Sequence, residues 1–321
     1  MKQTKLKALP ALHKRFIYTV LVCALSITGV LFSACSSGQA TTTGGGPQGE
    51  WPTSITIAAV ADENDPGAVT RDENFRIAME EALGIKVNSF AGAVYNVSIE
   101  ALRAGHLHVM TVSPMSYLLA KQMADVEPLV YALAADAPPY KTVFITLATQ
   151  DSINTIEDLR GKTFAFVDPA SSSGYMYPAS HLITYYDLDP DQLLNSGYFF
   201  EYVAFSGRHD ASVVGVSMGD YEAAAVAYST LLSAHDSGVI DINDFKIIDE
   251  TRIIPPPLAL VRADLPQSLK DAILEFYLAY DDPAYFESRH RDPNARYVRA
   301  YEEEYDVIAD TVAALNLEIG E

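Results

Sequence analysis

The residues best placed to do chemistry form the run Asp168-Pro-Ala-Ser171-Ser172-Ser173-Gly174-Tyr175. Three consecutive hydroxyls and a glycine stand between a strand-like stretch at 163–167 and a helix-like pattern at 174–186. Such a turn aims unpaired N–H groups and O–H donors at one point, at a helix end that carries partial positive charge, and so suits an oxyanion. The same serines would serve equally as ordinary N-caps, which need no ligand. Pro178 has to fall in the first turn of the helix, or the helix kinks there.

Three further segments put polar groups where a strand passes into a helix. In Ser206-Gly207-Arg208-His209-Asp210-Ala211, His209 could donate to an anion and Arg208 could supply charge, although a lone loop histidine is more often simply solvated. In Val94-Tyr95-Asn96 an aromatic hydroxyl opens a helix, and Ser113-Pro114-Met115-Ser116-Tyr117 brings hydroxyls to a third such junction. Each is weak by itself; their shared placement is the stronger signal.

Enzymatic and metal chemistry fit less well. Gly161-Lys162-Thr163 resembles the end of a P-loop, but the earlier glycine that the loop requires would fall at Ile156. Ser172, His209 and Asp210 could suggest a hydrolytic triad. No G-x-S-x-G elbow surrounds any serine, however, and adjacent His209 and Asp210 would hardly orient each other. His106 and His108 share a strand face and could ligate zinc, but no third histidine or cysteine is near in sequence. We therefore expect no enzyme, no cofactor and no metal. The tyrosines of the tail (Tyr277, Tyr280, Tyr285, Tyr297, Tyr301, Tyr305) are spaced for helix packing rather than for a sugar or peptide groove.

The elements that must position these groups alternate along the chain. Strand-like runs at 54–60, 85–90 and 109–112 are separated by helical patterns at 70–83, 97–104 and 116–123, with Gly84 and Gly105 as stops. The longest strand candidate, 140–149, leads into a second α/β unit: strands at 163–167, 199–205 and 223–227, and helices at 174–186 and 209–218. An extended stretch at 253–262 follows, and residues 266–280 and 295–315 look helical. This order predicts two α/β lobes, each a mostly parallel sheet flanked by helices. The lobes are joined by extended crossings and hold a ligand cleft between them.

The leader sets the location. Lys2, Lys5, Lys7, Lys14 and Arg15 precede an apolar run at 16–31 and the small residues of Ser33-Ala34-Cys35, the order of a secretory signal. That apolar run reaches only about 24 Å as a helix, short of the ~30 Å hydrocarbon core of a bilayer. Leu31-Phe32-Ser33-Ala34-Cys35 resembles the bacterial lipobox, which implies lipidation of Cys35. Residues 36–50 are Ser, Thr, Gly and Gln-rich and suit a tether. The only other cysteine, Cys23, lies in the leader, so the mature chain can form no internal disulfide. The whole chain has a formal charge of −20, and without the five basic residues of the leader it stands near −25. Such a surface repels nucleic acid and anionic lipid. It does not forbid capture of a small anion, because donors in a dry cleft act at contact range while surface charge is screened beyond about 8–10 Å.

Taken together, DPASSSGYMYP, SGRHDAS, YEAAAVAYSTLL and IIPPPLALVRADLP resemble the periplasmic phosphate-, phosphite- and phosphonate-binding proteins of ABC importers. Upstream, AVYNVSIEALRAGHLHVMTVSPMSYLLA and YKTVFITLA match in order and spacing. The resemblance implies a type II periplasmic-binding-protein fold. Its expected parts are a signal peptide at 1–34, a tether at 35–50, lobe 1 at 51–142 with 259–321 returning to it, and lobe 2 at 143–258. It further implies an oxyanion on Ser171, Ser172 and Ser173 with support from the Gly174 amide and His209. Ser116, at the junction noted above, is expected to bind the ligand as well, and Tyr95 and Tyr140 would close from the other side. Ser229 and the prolines at 255–257 stand where aminophosphonate binders carry carboxylates, so the expected ligand is compact: phosphite, phosphate or methylphosphonate. The expected partners are an ABC permease and a membrane reached through Cys35. The alternatives are a binder of another solute, such as a sulfonate or thiamine precursor, and a sensing lipoprotein that partners a signalling receptor.

Overall fold

The computed structural model describes residues 50–58, 68–90 and 95–316. The leader, Cys35 and the tether up to residue 49 lie outside the described residues. No helix among those described is long and apolar enough to cross a membrane.

Two sheets form in turn. The first begins with β1 (Ser54–Ala58), β2 (Lys86–Ser89), β3 (Val109–Val112) and β4 (Val126–Leu133), with α1 (Ala68–Leu83), α2 (Tyr95–Arg103) and α3 (Pro114–Met123) between them. The chain then crosses to a second sheet of β5 (Thr142–Leu147), β6 (Thr163–Phe166), β7 (Tyr202–Phe205), β8 (Ala223–Ala227) and β9 (Phe245–Glu250). Its helices are α4 (Tyr177–Tyr186), α5 (His209–Met218) and α6 (Tyr228–Asp236). The return runs through β10 (Leu258–Arg262), α7 (Gln267–Ala279), α8 (Pro283–His290) and β11 (Arg296–Arg299) to the short α9 (Ala309–Ala313).

The strand orders are β11-β4-β10-β3-β1-β2 and β7-β6-β8-β5-β9. The α/β expectation holds, but both sheets are mixed rather than mostly parallel. Only β1–β2 and β1–β3 in the first sheet, and β6–β7 and β6–β8 in the second, pair parallel. The reason is topological. A parallel neighbour needs a crossover helix within the sheet, whereas β5 and β10 each enter from the opposite lobe and insert antiparallel.

Local chemistry accounts for the elements that carry the site. Strand β8 reads AAAVA and is buried along its whole length. Ala223 and Ala225 face the cluster of Phe144 and Phe164, while Ala224 and Val226 face Val213 and Val216 of α5, the period-two alternation of a strand covered on both sides. Helix α5 stops at Gly219, whose φ of 80° suits glycine and whose N–H returns to the last turn. Ser113 caps α3 by accepting from the Ser116 amide, and Pro114 takes the first helical position, where no N–H is needed.

The expected helix at 295–315 is instead β11, a 3₁₀ segment at Glu302–Ile308 and α9. Residues 296–299 pair antiparallel with β4 and lay Tyr297 against the aromatic cluster around Phe75 and Phe286. The tail then leaves the first lobe. Tyr305 packs with Tyr117 in the first lobe, but Ile308, Val312 and Leu315 join the hydrophobic cluster of Tyr177, Leu182 and Ile183 beside the second sheet.

Candidate functional site

The site forms at the carboxyl ends of β3, β6, β7 and β8, the place where α/β sheets leave backbone groups free to meet a ligand. After β6 the chain makes an Asx turn: Asp168 Oδ1 accepts from the Ala170 amide at 2.8 Å, and the Ser171 amide donates to Asp168 O at 2.9 Å. Ser171 then caps a single π-helical turn, Ser172–Met176, which runs directly into α4. Its Oγ accepts from the Gly174 amide at 3.0 Å. This extra turn lets Pro178 fall at the start of α4 without breaking it.

Gly174 is a steric requirement. A Cβ there would meet Val167 Cβ, lie 2.6 Å from Val167 Cγ2 and 2.9 Å from Ser171 Oγ. Thr142, at the start of β5, fixes the far side of the turn by donating from Oγ1 to Ser173 O at 2.7 Å. All three serines are buried.

His209 opens α5 and lies over the turn. The loop before it is pinned by the Gly207 amide on Val167 O at 2.7 Å and by Ser206 Oγ, which donates to Arg208 O at 2.9 Å. Gly207, with φ of 83°, is the residue that lets the chain reverse there. The Ala227 amide donates to His209 Nδ1 at 3.0 Å. A neutral ring that accepts at Nδ1 carries its proton at Nε2, and Nε2 lies 3.4 Å from Ser171 Oγ and 3.3 Å from Ser173 Oγ. Burial pushes the His209 pKa down to about 4, against a weaker upward pull from Asp210, so the ring is a neutral N–H donor at physiological pH. Arg208 binds its own neighbour, with Nε and Nη2 on the two oxygens of Asp210 at 2.9 and 2.8 Å. Burial raises the Asp210 carboxyl, but the hydrogen bonds and charge of Arg208 outweigh it and hold the group below the usual carboxylate range.

The first lobe and the crossing supply the opposite wall. Tyr95 Oη donates to Ser171 Oγ at 3.5 Å, and Tyr140 Oη to Ser173 Oγ at 3.0 Å. Burial raises both phenols, which therefore stay protonated as donors. Ser116 makes a different contact: its Oγ donates to Ala170 O at 2.7 Å. Beside it, the Met115 amide donates to Ser172 Oγ at 2.7 Å and the Ser172 amide to Ser113 Oγ at 3.3 Å. Ser116 and Ser172 thus clasp one lobe to the other, while Ser171, Ser173, His209, Tyr95 and Tyr140 converge on one point.

Other sequence candidates fall elsewhere. Ser229 is exposed. His106 is exposed, and His108 Nδ1 is occupied by the Thr56 amide at 3.0 Å. Among the described residues no group of three or more His, Cys, Asp or Glu side chains could hold a metal ion. Sequence reasoning did not single out Thr142 or the Ala227 amide. Thr142 lay inside a run read only as strand, and no local pattern marks a backbone N–H for a role set by strand pairing.

Residues 57–305 match the family of the periplasmic substrate-binding protein of phosphonate ABC transporters. The phosphate-import protein PhnD of Mycolicibacterium smegmatis is 30% identical over 237 residues, covering 70% of this chain and 69% of that protein. The phosphonates-binding periplasmic protein of Escherichia coli is 24% identical over 209 residues, covering 63% of this chain and 59% of that protein. Among solved structures, a binding-protein component of a phosphonate ABC transporter from Pseudomonas aeruginosa superposes with a TM-score of 0.70 at 18% identity, over 80% of this chain and 85% of that one. PhnD1 from Prochlorococcus marinus, solved in complex with methylphosphonate, gives 0.69 at 17% identity, over 82% of this chain and 98% of that one.

Proposed function

This chain belongs to the family of periplasmic phosphonate-binding proteins of ABC transporters, and on that premise we propose that it captures a small phosphorus oxyanion outside the cytoplasm and passes it to an importer's permease. The observation that carries the reading is the convergence of Ser171, Ser173, Tyr95, Tyr140 and His209 Nε2 on one buried point at the carboxyl ends of the strands. A phosphate-import relative and a fold relative bound to methylphosphonate support a compact ligand: phosphite, phosphate or a small phosphonate.

The site residues act by binding, not by catalysis. His209 Nδ1 meets a backbone amide instead of a carboxylate, and Asp210 is occupied by Arg208, so no relay exists to activate Ser172 or Ser173. Lobe 1 and lobe 2 close on the ligand about the crossings that precede β5 and β10, and the permease reads the closed form. Export and lipidation at Cys35 would hold the protein at the outer face of a bacterial membrane. A Cys35→Ser variant that still labels with radioactive palmitate would end that part of the reading.

A thermal-shift titration of the purified protein with phosphite, phosphate, methylphosphonate, 2-aminoethylphosphonate and sulfate tests the ligand class. A ligand that binds only the folded state raises the melting temperature by mass action. At least one phosphorus oxyanion should do so. Ser173→Ala, which removes a hydrogen bond to a charged group, should weaken its binding by about tenfold or more without unfolding the chain. Silence from every anion, or full affinity in Ser173→Ala, would overturn the assignment.

A further inference from the structure

We propose that Arg291 and Asp236 are positioning residues, whose ion pair ties one lobe to the other beside the crossing into β5 and sets how readily the lobes close on the anion. The proposal rests on the oxyanion reading above. It adds two residues outside the group that converges on the serine turn.

Arg291 follows α8, whose Tyr285 and Phe286 are buried with Ile55 and Val109 of the first sheet. Asp236 ends α6, whose Leu231 and Ala234 pack with Val143 and Val226 of the second sheet. Arg291 Nη1 nonetheless lies 2.6 Å from Asp236 Oδ2. Both partners are anchored to the same stretch of chain. Buried Asp292 accepts the Asp136 amide on Oδ2 at 3.1 Å, which holds the loop after α8 to the start of the crossing. At the other end the Tyr228 amide, which opens α6, donates to Lys141 O at 3.0 Å. The ion pair therefore spans residues 136–141 from outside, and bending of that crossing changes the distance between the two charges.

Each partner breaks a local rule. Arg291 caps the end of α8 with φ of 58°, a left-handed position that usually falls to glycine or asparagine. Asp236 is the last residue of α6, where the negative end of the helix dipole repels a carboxylate. Departures of this kind point to a role beyond the element itself. The arrangement that carries the pair shows which role. In it the lobes touch at the site, with Ser116 Oγ on Ala170 O and the Met115 amide on Ser172 Oγ, both at 2.7 Å. The pair thus belongs to the closed form. Its side chains are 28% and 55% exposed, so salt screens it and it biases the hinge without locking it.

Asp236→Asn is the first variant to test. Isothermal titration with methylphosphonate, phosphite and phosphate at low ionic strength should find binding about twofold to fivefold weaker than in the parent, the range for a partly exposed pair. The gap should close in about 0.5 M salt. The sign is decisive: loss of a negative charge from so acidic a chain would by itself favour an anion, so weaker binding reports the lost tie. The melting temperature should stay within about 2 °C of the parent, because the repulsion from the end of α6 goes as well. Arg291→Asp and Asp236→Arg should each bind more weakly, and the double swap should recover most of the loss. Dyes on Glu81 of α1 and Met218 of α5, both exposed, report closing without a ligand. In the empty Asp236→Asn protein the closed-to-open ratio should fall by the same factor as the affinity. A parent-like ratio, a loss of affinity that high salt leaves intact, or a double swap no better than its single variants would overturn the proposal. Failure of the oxyanion reading looks different: no anion binds the parent, while the dye-reported ratio still decides the role of the pair.

Discussion

Replacing Gly174 by alanine tests the turn with the smallest possible perturbation. The added Cβ meets Val167 Cβ and lies 2.6 Å from Val167 Cγ2 and 2.9 Å from Ser171 Oγ. A flexible side chain could swing away, but Val167 Cβ is fixed to backbone held on both sides, with its N–H on Gly174 O and its carbonyl under the Gly207 amide. The backbone must therefore shift, and the Gly174–Ser171 cap goes with it. Overpacking costs about 1–3 kcal/mol and loss of a cap about 1 kcal/mol, which together lower the melting temperature of a chain of this size by roughly 5–12 °C. Anion affinity should fall by about tenfold or more, because Ser171 and Ser173 move together. Calorimetry and isothermal titration on Gly174→Ala, Val167→Ala, Val167→Gly and the two double variants would check this. Only Val167→Gly removes the clashing Cβ, so only that pair should show strong favourable coupling. A Gly174→Ala protein that melts within about 1 °C of the parent, or equal relief from Val167→Ala, would refute the steric account.

Other outcomes follow from the same geometry. Burial pushes His209 and His290 down to about 4, while an unfolded histidine titrates near 6.5. As pH falls the unfolded chain takes up these protons first, so stability is complete above about 6.5 and is lost toward 4, by up to about 3 kcal/mol per histidine. Melting curves in buffers spanning that window should show the loss, and His209→Gln should reduce its steepness; a flat parent profile would contradict the burial argument. Tyr140→Phe keeps the ring and removes the donor to Ser173, so titration should find about tenfold weaker anion binding with little change in melting temperature. Ser116→Ala removes the bond to Ala170 O. Small-angle scattering should then find the ligand-free protein more open, with affinity reduced several-fold through the loss of that contact between the lobes.

Much of this was legible in the residues. The serine turn, the His209 junction, Gly84 as a stop and the short apolar run of β8 are local patterns, and each is carried by chemistry within a few residues of itself. Strand β4 was not legible, because Pro128 reads as a breaker. The sheet accommodates it by a register shift opposite Ala259 and Leu260, where β10 does not require its missing N–H. The tail at 295–315 carries aromatic spacing that suits a helix, yet its fate is set by an open edge of β4 that sequence cannot show. The tautomer of His209 is likewise non-local. It depends on the Ala227 amide, eighteen residues away and brought close by the packing of α5 against β8.

The division of labour between Ser116 and its neighbours bears on how such a protein signals that it is loaded. Bonds within the protein itself join the lobes beside the site: Ser116 and Ser113 to Ala170, Met115 to Ser172, Ser172 to Ser113 and Tyr95 to Ser171. They are bonds between neutral groups, each worth about 0.5–1.5 kcal/mol net, whereas bonds to an anion are worth about 1.5–3 kcal/mol each. Apparent affinity equals intrinsic affinity scaled by the fraction already able to bind, so a stronger clasp would tighten binding. It would also close the empty protein, and a permease that recognises the closed shape would then lose the contrast between loaded and unloaded carriers. A clasp of few neutral bonds, set against a larger group of directed donors that reach full strength only on a charged ligand, keeps that contrast. On the proposed reading, Arg208 is held by Asp210 and the ligand's charge would be met by dipoles that cost little to hold in place.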